Sequence, residues 1–172
     1  MRLFHPVSAG RILLQAPGRP APAPAPSTPA VSDLSGEQVS RLLWAARRSP
    51  ALFVATEHGF FAYEAAGHAL VPHTELDVRR ALRLACGGSE ALSRAPAVFV
   101  FATAAPSHPR GAECEKAVRA AEGAARDLGR EAAALGLRVA SCAAFDATRV
   151  SDTLALPADQ VPSSIVPVLP GR

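Results

Sequence analysis

The sequence lacks the long apolar runs that membrane-spanning and secreted proteins carry. No stretch of about 18 residues is apolar and free of charge, so the pattern predicts no transmembrane helix. The first residues, MRLFHPVSAGRILLQAPG, are interrupted by charge, proline and glycine, and they offer no uncharged core for a signal peptide. We therefore expect a cytoplasmic protein with no membrane partner.

The common catalytic signatures are absent as well. There is no G-x-G-x-x-G, no P-loop and no G-x-S-x-G. The five histidines have no H-x-x-x-H spacing that would preset a metal site, and they fall in predicted turns and loops or in the irregular N-terminus. We interpret them as solvent-exposed side chains and predict no metal site; they are His5, His58, His68, His73 and His108.

Cysteine is scarce, with three in 172 residues. Cys86, Cys114 and Cys142 are far apart in the sequence and show neither C-x-x-C nor a zinc-ligand spacing. The simplest interpretation is three small, buried, inert side chains in a reducing compartment. Cys142, beside Ser141 at the end of a predicted strand, is the one candidate for a reactive thiol, although no basic residue adjoins it in the sequence.

Charge of one sign does not dominate. Lys and Arg number 18 against 15 Asp and Glu, and arginine and acidic residues alternate through the predicted helices. That alternation is typical of solvated helix faces and not of a nucleic-acid interface. What the chain does have is a hydrophobic content of 49%, which suits one domain with a substantial core.

Proline and alanine alternate before the patterned part of the chain begins. The tract PGRPAPAPAPSTPA, residues 17–30, forbids helix and favours polyproline II. We interpret residues 1–32 as an N-terminal arm or linker. Within it, RILL at residues 11–14 is a short apolar piece that docks either on the domain or on a partner.

From residue 33 onward the pattern predicts helix, strand, strand, helix, strand, long helix, strand, short helix and strand. Ser35 and Gln38 form a capping box for the first helix, and Arg47 and Arg48 are expected in its last turn, where positive charge suits the helix dipole. AVFVFATA, residues 97–104, is typical of a central strand buried on both faces. The order predicts an α+β fold with a mixed or antiparallel sheet flanked by helices.

The turn SCAAFD, residues 141–146, is the best generic candidate for a ligand site. It joins a predicted strand to a predicted helix capped by Asp146, and such a junction presents backbone N–H groups to an anion or a ring edge. The small side chains of Ala143 and Ala144 permit close approach. Trp44 and Phe60/Phe61 either stack on a planar cofactor or fill the core, and we prefer the second interpretation.

Five blocks of the chain resemble, in the same order, blocks of the nitroreductase-like flavoproteins. The nearest branch contains the dehydrogenases that oxidise azolines in ribosomal peptides. The blocks are LSGEQVSRLLWAA (34–46), GFFAYEAAGHAL (59–70), LSRAPAVFVFAT (92–103), the long segment AAEGAARDLGREAAALGLRVASCAAFDATRVSDTLALP (120–157) and SSIVPVLPGR (163–172). The resemblance thus makes residues 33–172 a nitroreductase-like domain.

The resemblance implies an α+β fold, a homodimer, FMN at the dimer interface and a nicotinamide, NADH or NADPH, as hydride donor. The partner is then a second copy or another nitroreductase-like chain. Carried over position by position, the candidate cofactor-binding residues are Arg47, Arg48, Ser141, Ala143 and Ala144, and no catalytic residue is assigned.

Three departures from the family pattern predict a degenerate cofactor site. The Pro/Ala tract stands where the family has an Arg-rich motif, RRSP at residues 47–50 stands where it has a flavin-lining segment, and Ala143-Ala144 replaces a glycine-containing pair. Two functions therefore stay open: an FMN-linked, NAD(P)H-dependent oxidoreductase of small molecules or modified peptides, and a flavin-free scaffold that acts as a binding or regulatory partner. Arg47 and Arg48 are either the remnant of a phosphate site or helix C-terminal residues, and we prefer the latter.

Overall fold

The computed structural model describes residues 11–14, 34–105, 112–142 and 144–171. These residues form five helices and seven strands. They are β1 (Ile12–Leu13), α1 (Gly36–Ala45), β2 (Ala51–Thr56), β3 (Gly59–Glu64), β4 (Ala69–Thr74), α2 (Arg79–Ala85), α3 (Glu90–Arg94), β5 (Ala97–Ala104), α4 (Ala112–Ala134), β6 (Arg138–Val139), α5 (Ala147–Leu154) and β7 (Gln160–Leu169).

The strands form a single sheet in the order β1-β4-β3-β2-β5-β7-β6, and every neighbouring pair is antiparallel. The predicted α+β fold is confirmed, with the antiparallel form of the sheet. At its centre β5 pairs with β2 on one side and β7 on the other, and seven of its eight residues are buried. The apolar run at residues 97–104 therefore makes the predicted central strand.

The two faces of the sheet carry two separate hydrophobic cores. Because successive side chains of a strand point to opposite faces, Phe99 and Phe101 of β5 pack with α1 and α4, whereas Val98 and Val100 pack with α2, α3 and α5. Phe60 and Phe61 divide in the same way, one into each core. Helices thus cover both faces, and the sheet is the middle of three layers.

Helix α1 begins at the predicted capping box. The Ser35 hydroxyl accepts a hydrogen bond from the Gln38 backbone N–H at 3.2 Å, and the Gln38 side chain accepts one from the Ser35 N–H at 2.9 Å. An ion pair between Arg41 and Glu131, at 2.6 Å, joins α1 to α4 on the face of the sheet that carries Phe99 and Phe101. Both side chains are partly buried, so the pair fixes how the two helices cross.

The RILL segment forms one edge of the sheet. Ile12 and Leu13 pair with Leu70 and Ala69 of β4, and the Leu14 N–H donates to the carbonyl of His68 at 2.9 Å. Of the two docking places predicted for this segment, the structure shows the domain itself. The Pro/Ala tract, residues 17–30, lies outside the described residues.

Several element boundaries differ from the predicted ones. Helix α1 ends at Ala45, with Ala46 as its C-cap, so Arg47 and Arg48 lie in the turn after the helix and not in its last turn. The strands also differ in length: β6 has only two residues, whereas β4 has six and β7 has ten. Among the described residues, no helix combines the length and the apolar character needed to cross a bilayer.

Candidate functional site

The turn that follows α1 holds the two candidate arginines. The Nη1 group of Arg47 donates to the carbonyl of Trp44 at 2.8 Å, and the guanidinium lies 4.5 Å from the centroid of the Trp44 ring. The Trp44 carbonyl also accepts from the backbone N–H of Arg47 at 3.3 Å, so the guanidinium adds a second hydrogen bond at the end of the helix, and the stacking adds a cation–π contact. Arg47 therefore caps α1 in practice, although from outside the helix, and Arg48 is exposed beside it.

Behind Trp44, the imidazole of His68 is the centre of a buried polar network. Its Nε2 is 2.8 Å from the Ser40 hydroxyl, and its Nδ1 is 2.7 Å from the Tyr63 hydroxyl. Trp44 meets the ring edge-on at a centroid distance of 5.1 Å. His68 is only 6% exposed, so the expectation of a solvent-exposed loop histidine is wrong at this position.

Two features of the chain explain this burial. His68 adopts a left-handed backbone with φ of 43° in the turn between β3 and β4, a conformation that histidine tolerates better than most residues. The docked RILL segment and α1 then close over that turn. The apolar residues Ala69 and Leu70, which follow His68 directly, were the only sequence signal for this burial.

Burial also changes the acidity of the Tyr63 hydroxyl. Removal from water raises the pKa of Tyr63 to about 12, and the nearby positive charge of Arg47 opposes the rise. The hydroxyl therefore stays protonated and neutral at physiological pH. It serves as a hydrogen-bonding partner of His68 and not as a base.

The predicted ligand loop lies at the opposite edge of the sheet. After β6 the chain continues along β7, because the Ala140 N–H donates to Pro167 at 3.0 Å and the Cys142 N–H donates to Ile165 at 3.3 Å. Ser141 and Ala144 are exposed, and Ala143 lies outside the described residues. The described part of the loop thus presents the small side chains of Ser141 and Ala144 to solvent.

The N-terminus of α5 differs from the anion site that the sequence predicts. The carboxylate of Asp146 accepts hydrogen bonds from the backbone N–H groups of Thr148, at 2.9 Å, and Arg149, at 3.1 Å. Asp146 is therefore the predicted N-cap, but in this role it occupies the donors that an anion would use. Its negative charge makes the helix start unfavourable for a phosphate.

A cavity of about 510 Å³ opens between α5 and the start of β7. Thr148, Ser151 and Asp152 supply its polar lining. Gln160 also lines it, and the Oε1 atom of Gln160 is buried without a hydrogen-bond partner among the described residues. The cavity adjoins α5, the helix that the candidate loop leads into.

Although the three cysteines are far apart in the sequence, two of them border the same hydrophobic core. Cys86 is the C-cap of α2 and is 6% exposed, and Cys142, which is partly buried, packs against the hydrophobic cluster that contains Cys86. Burial, with a further contribution from Cys142, raises the pKa of Cys86 to about 12. Cys114 is separate, in the first turn of α4.

Metal ligation finds no support in the described ranges. No group of three His, Cys, Asp or Glu side chains comes together there as metal ligands do. His73 illustrates the alternative use of these side chains: its ring packs against Phe60, and its Nε2 lies 2.8 Å from the carbonyl of Ala155. His58 is exposed in the β2–β3 turn, and His5 and His108 lie outside the described residues.

Comparison with known proteins places this geometry in a known fold. No protein-family model matches the chain, and no curated protein matches it. Solved structures do: a nitroreductase-like protein from Ralstonia eutropha JMP134 superposes with a TM-score of 0.74 at 19% identity, over 99% of this chain and 94% of that one. This chain has the nitroreductase fold. The resemblance noted in the sequence is thereby confirmed at the level of fold.

Two further nitroreductase-fold matches differ in how much of the other protein they cover. A nitroreductase-like protein from Anabaena variabilis ATCC 29413 matches with a TM-score of 0.70 at 19% identity, over 83% of this chain but only 35% of that one. A chain of the Escherichia coli microcin synthetase McbBCD complex, solved with truncated pro-MccB17 bound, matches with a TM-score of 0.69 at 17% identity, over 93% of this chain and 77% of that one.

Within one nitroreductase-fold chain, the candidate cofactor residues form two groups. Arg47 and Arg48 lie just ahead of β2, whereas Ser141 and Ala144 lie beyond β6, at the edge of the sheet. Strands β5 and β7 lie between β2 and β6. At the usual strand spacing, β2 and β6 are therefore about 14 Å apart. The candidate residues of a single chain thus lie in two places, and Asp146 occupies the start of the helix that follows the second of them.

Proposed function

We propose that this chain is a subunit of an FMN-linked, NAD(P)H-dependent oxidoreductase of the nitroreductase type. The observation that carries the proposal is the match to the Ralstonia eutropha protein, which extends over 94% of that chain as well as 99% of this one. A match of that extent means that the whole fold, and not one shared motif, supports the assignment.

The flavin site is proposed to form between two chains, because the candidate residues of one chain lie in two places. Arg47 and Arg48 of one chain would supply positive charge for the FMN phosphate, and the Ser141–Ala144 loop of the second chain would approach the flavin ring. A two-fold axis would generate this arrangement twice in a homodimer. A nitroreductase-like partner chain would generate it in a heterodimer.

The proposed substrates are small molecules or modified peptides. The similarity to a chain of the microcin synthetase McbBCD complex supports the peptide class, since that complex was solved with truncated pro-MccB17 bound. The exposed loop at Ser141 and Ala144 and the adjoining cavity of about 510 Å³ provide room beside the proposed flavin position. FMN itself supplies the redox chemistry.

The proposal is tested by titrating the purified full chain with FMN and following flavin absorbance and fluorescence. We expect saturable binding, bleaching of bound flavin by NADH or NADPH under anaerobic conditions, and a dimer by light scattering. A protein that binds no FMN, alone or mixed with a nitroreductase homologue, would contradict the proposal and leave the flavin-free scaffold as the function.

Substitution of the arginines separates a phosphate site from a helix cap. Replacing Arg47 and Arg48 together by Ala is expected to weaken FMN binding by about 10-fold or more, the usual value of a lost charge-assisted hydrogen bond. Arg126→Ala is the matched control, because Arg126 is exposed on α4. Equal affinities of the double variant and the control would show that the two arginines do not contact FMN.

A further inference from the structure

The outer edge of β4 holds a short segment of the chain in the way that sheets bind extended peptides. Strand β1 pairs with Ala69 and Leu70, and the Leu14 N–H donates to the carbonyl of His68 at 2.9 Å. Ile12 and Leu14 pack against the core beneath α1 and α4. Backbone bonds thus attach the segment, and alternate side chains fill the core, which is the pattern of strand addition.

The edge also recognises a positive charge just before the first inward-facing side chain. The Nη2 of Arg11 lies 2.6 Å from the Oε1 of Glu64, and both side chains are partly exposed. Gly67, in the turn between β3 and β4, makes room for this pair, because a Cβ at that position would collide with the guanidinium. Glu64 and Gly67 therefore favour a long cationic side chain at this position.

The docking edge is short, and Pro72 limits it. In an antiparallel ladder, residues two apart form their hydrogen bonds on the same side. The bond at His68 therefore means that Leu70 and Pro72 face β1 as well. Because Pro72 has no N–H, the ladder cannot continue past Leu70 with full hydrogen bonding. The edge accordingly fits four residues: a cation, an aliphatic residue, a residue of any type and a second aliphatic residue.

Residues 11–14 fill this edge incompletely. The Nε of Arg11 is buried without a hydrogen-bond partner among the residues that the structure describes, and Leu13 is 48% exposed. A partly exposed ion pair contributes little to stability, and a two-residue strand at the edge of a sheet opens at low free energy. The segment can therefore leave β4 while the remaining strands of the sheet stay paired.

We propose that this edge of β4 is a docking site for a partner protein, and that residues 11–14 are its tethered occupant. The partner contributes an extended segment in which a basic residue is followed, at the next position and at the third, by aliphatic side chains. That segment displaces residues 11–14 and uses the same contacts with Glu64, His68 and Leu70. Exchange between two copies of this chain would break one docked segment for each one formed, so it would gain no contact.

The site is tested with the full chain carrying Ile12→Asp and Leu14→Asp, which place charges against the core and should release the tethered segment. The probe is a fluorescein-labelled peptide of residues 9–16, AGRILLQA, followed by fluorescence anisotropy. We expect saturable binding to this variant. The wild type should bind about 10-fold more weakly, because its own segment competes at an effective concentration in the millimolar range.

The proposal is overturned if the variant does not bind the peptide saturably, or if variant and wild type bind it equally. Circular dichroism confirms that the variant is folded. Should the double substitution prevent folding, Leu14→Asp alone provides the same comparison. Light scattering should give the variant the mass of the wild type, and a larger mass would show that the freed edge pairs with a second copy and not with a partner.

Exchanging the charges tests recognition by Glu64. Adding Glu64→Arg to the double variant should weaken binding of AGRILLQA by about 5-fold or more, because attraction becomes repulsion. The same protein should bind the peptide with Glu in place of Arg more tightly than it binds AGRILLQA. Glu57→Arg, in the exposed β2–β3 turn, is the matched control and should leave binding unchanged. Equal losses for Glu57→Arg and Glu64→Arg would contradict recognition of the cation. The inference holds whether or not the chain binds FMN.

Discussion

The turn after α1 and the loop before α5 were both candidate parts of a cofactor site, yet they are built in opposite ways. At the first, which we call the α1 corner, Ser40, Trp44, Arg47, Tyr63 and His68 satisfy one another. At the second, the Ser141–Ala144 loop, Ser141 and Ala144 are exposed and Cys142 is partly buried. The side chains of the corner are used in contacts with one another, whereas the small side chains of the loop leave room for another molecule.

The difference is one of stability as well as of exposure. Breaking a buried polar network leaves unpaired groups in a poorly solvated place, so the α1 corner should open only with much of the domain. The described part of the loop is attached to β7 by the backbone bond of Cys142 to Ile165, with that of Ala140 to Pro167 just before it, and such lightly held segments open at low free energy. Substitutions in the corner should therefore affect unfolding, whereas substitutions in the loop should mainly affect binding.

The largest expected effect comes from His68→Ala. It removes the common partner of the Ser40 and Tyr63 hydroxyls and leaves a cavity beside Trp44. We expect a loss of about 3 kcal/mol in the free energy of unfolding, measured by urea denaturation. His58→Ala, in the exposed β2–β3 turn, is the control and should change that free energy by less than about 0.5 kcal/mol. Similar losses of unfolding free energy for both variants would show that the network around His68 does not stabilise the α1 corner.

Tyr63→Phe tests the same network more gently. It leaves the ring in place and removes the hydroxyl that meets Nδ1 of His68, for a loss of about 1.5 kcal/mol near neutral pH. Tyr63 also predicts a pH dependence: its pKa rises from 10.0 to about 12 on folding, so the folded state keeps a proton that the unfolded state loses in that interval. The stabilisation is full below pH 10.0 and disappears as the pH rises through 12.

The wild type should therefore lose stability faster than Tyr63→Phe between these two pH values. Urea denaturation of both proteins across the interval measures the difference. Parallel curves for the two proteins would show that Tyr63 ionises alike in the folded and unfolded states.

Asp146→Ala tests the N-cap of α5, at the end of the loop. It removes the carboxylate that accepts from Thr148 and Arg149, and the usual value of such a cap is about 1 kcal/mol. Asp152→Ala, at an exposed position of the same helix, is the matched control. The midpoints of thermal denaturation of the two variants give the measurement. Equal midpoints would show that the cap has no energetic effect.

The local features of the fold were predictable because the sequence contains their causes. The capping box of Ser35 and Gln38, the cap at Asp146 and the apolar run at residues 97–104 each depend on neighbours within a few positions. The resemblance added the fold type, since the order of its blocks reflects the order of the elements. The predicted end of α1 was nevertheless wrong, because Arg47 and Arg48 lie in the turn after the helix and not in its last turn.

The remainder depended on contacts between distant segments. His68 is buried only because RILL and α1 close over its turn, and a turn histidine by itself gives no sign of this. Cys86 and Cys142 border the same hydrophobic core, although the sequence shows two unrelated thiols. In our proposal the candidate arginines and the loop form one site only with a second chain, and the sequence points to such a chain only through the resemblance.

Arg47→Ala has the smallest expected effect and the greatest power to distinguish the two interpretations of that residue. As a cap on α1, Arg47 contributes one bond to the Trp44 carbonyl and one stacking contact at an exposed position, together worth about 0.5–1 kcal/mol. Arg48→Ala should then leave the free energy of unfolding unchanged. If both variants keep wild-type stability but both weaken FMN binding, Arg47 is a phosphate ligand first. If Arg47→Ala alone loses stability and neither variant alters FMN binding, the α1 corner is structural throughout, and the loop side is left as the functional half of the chain.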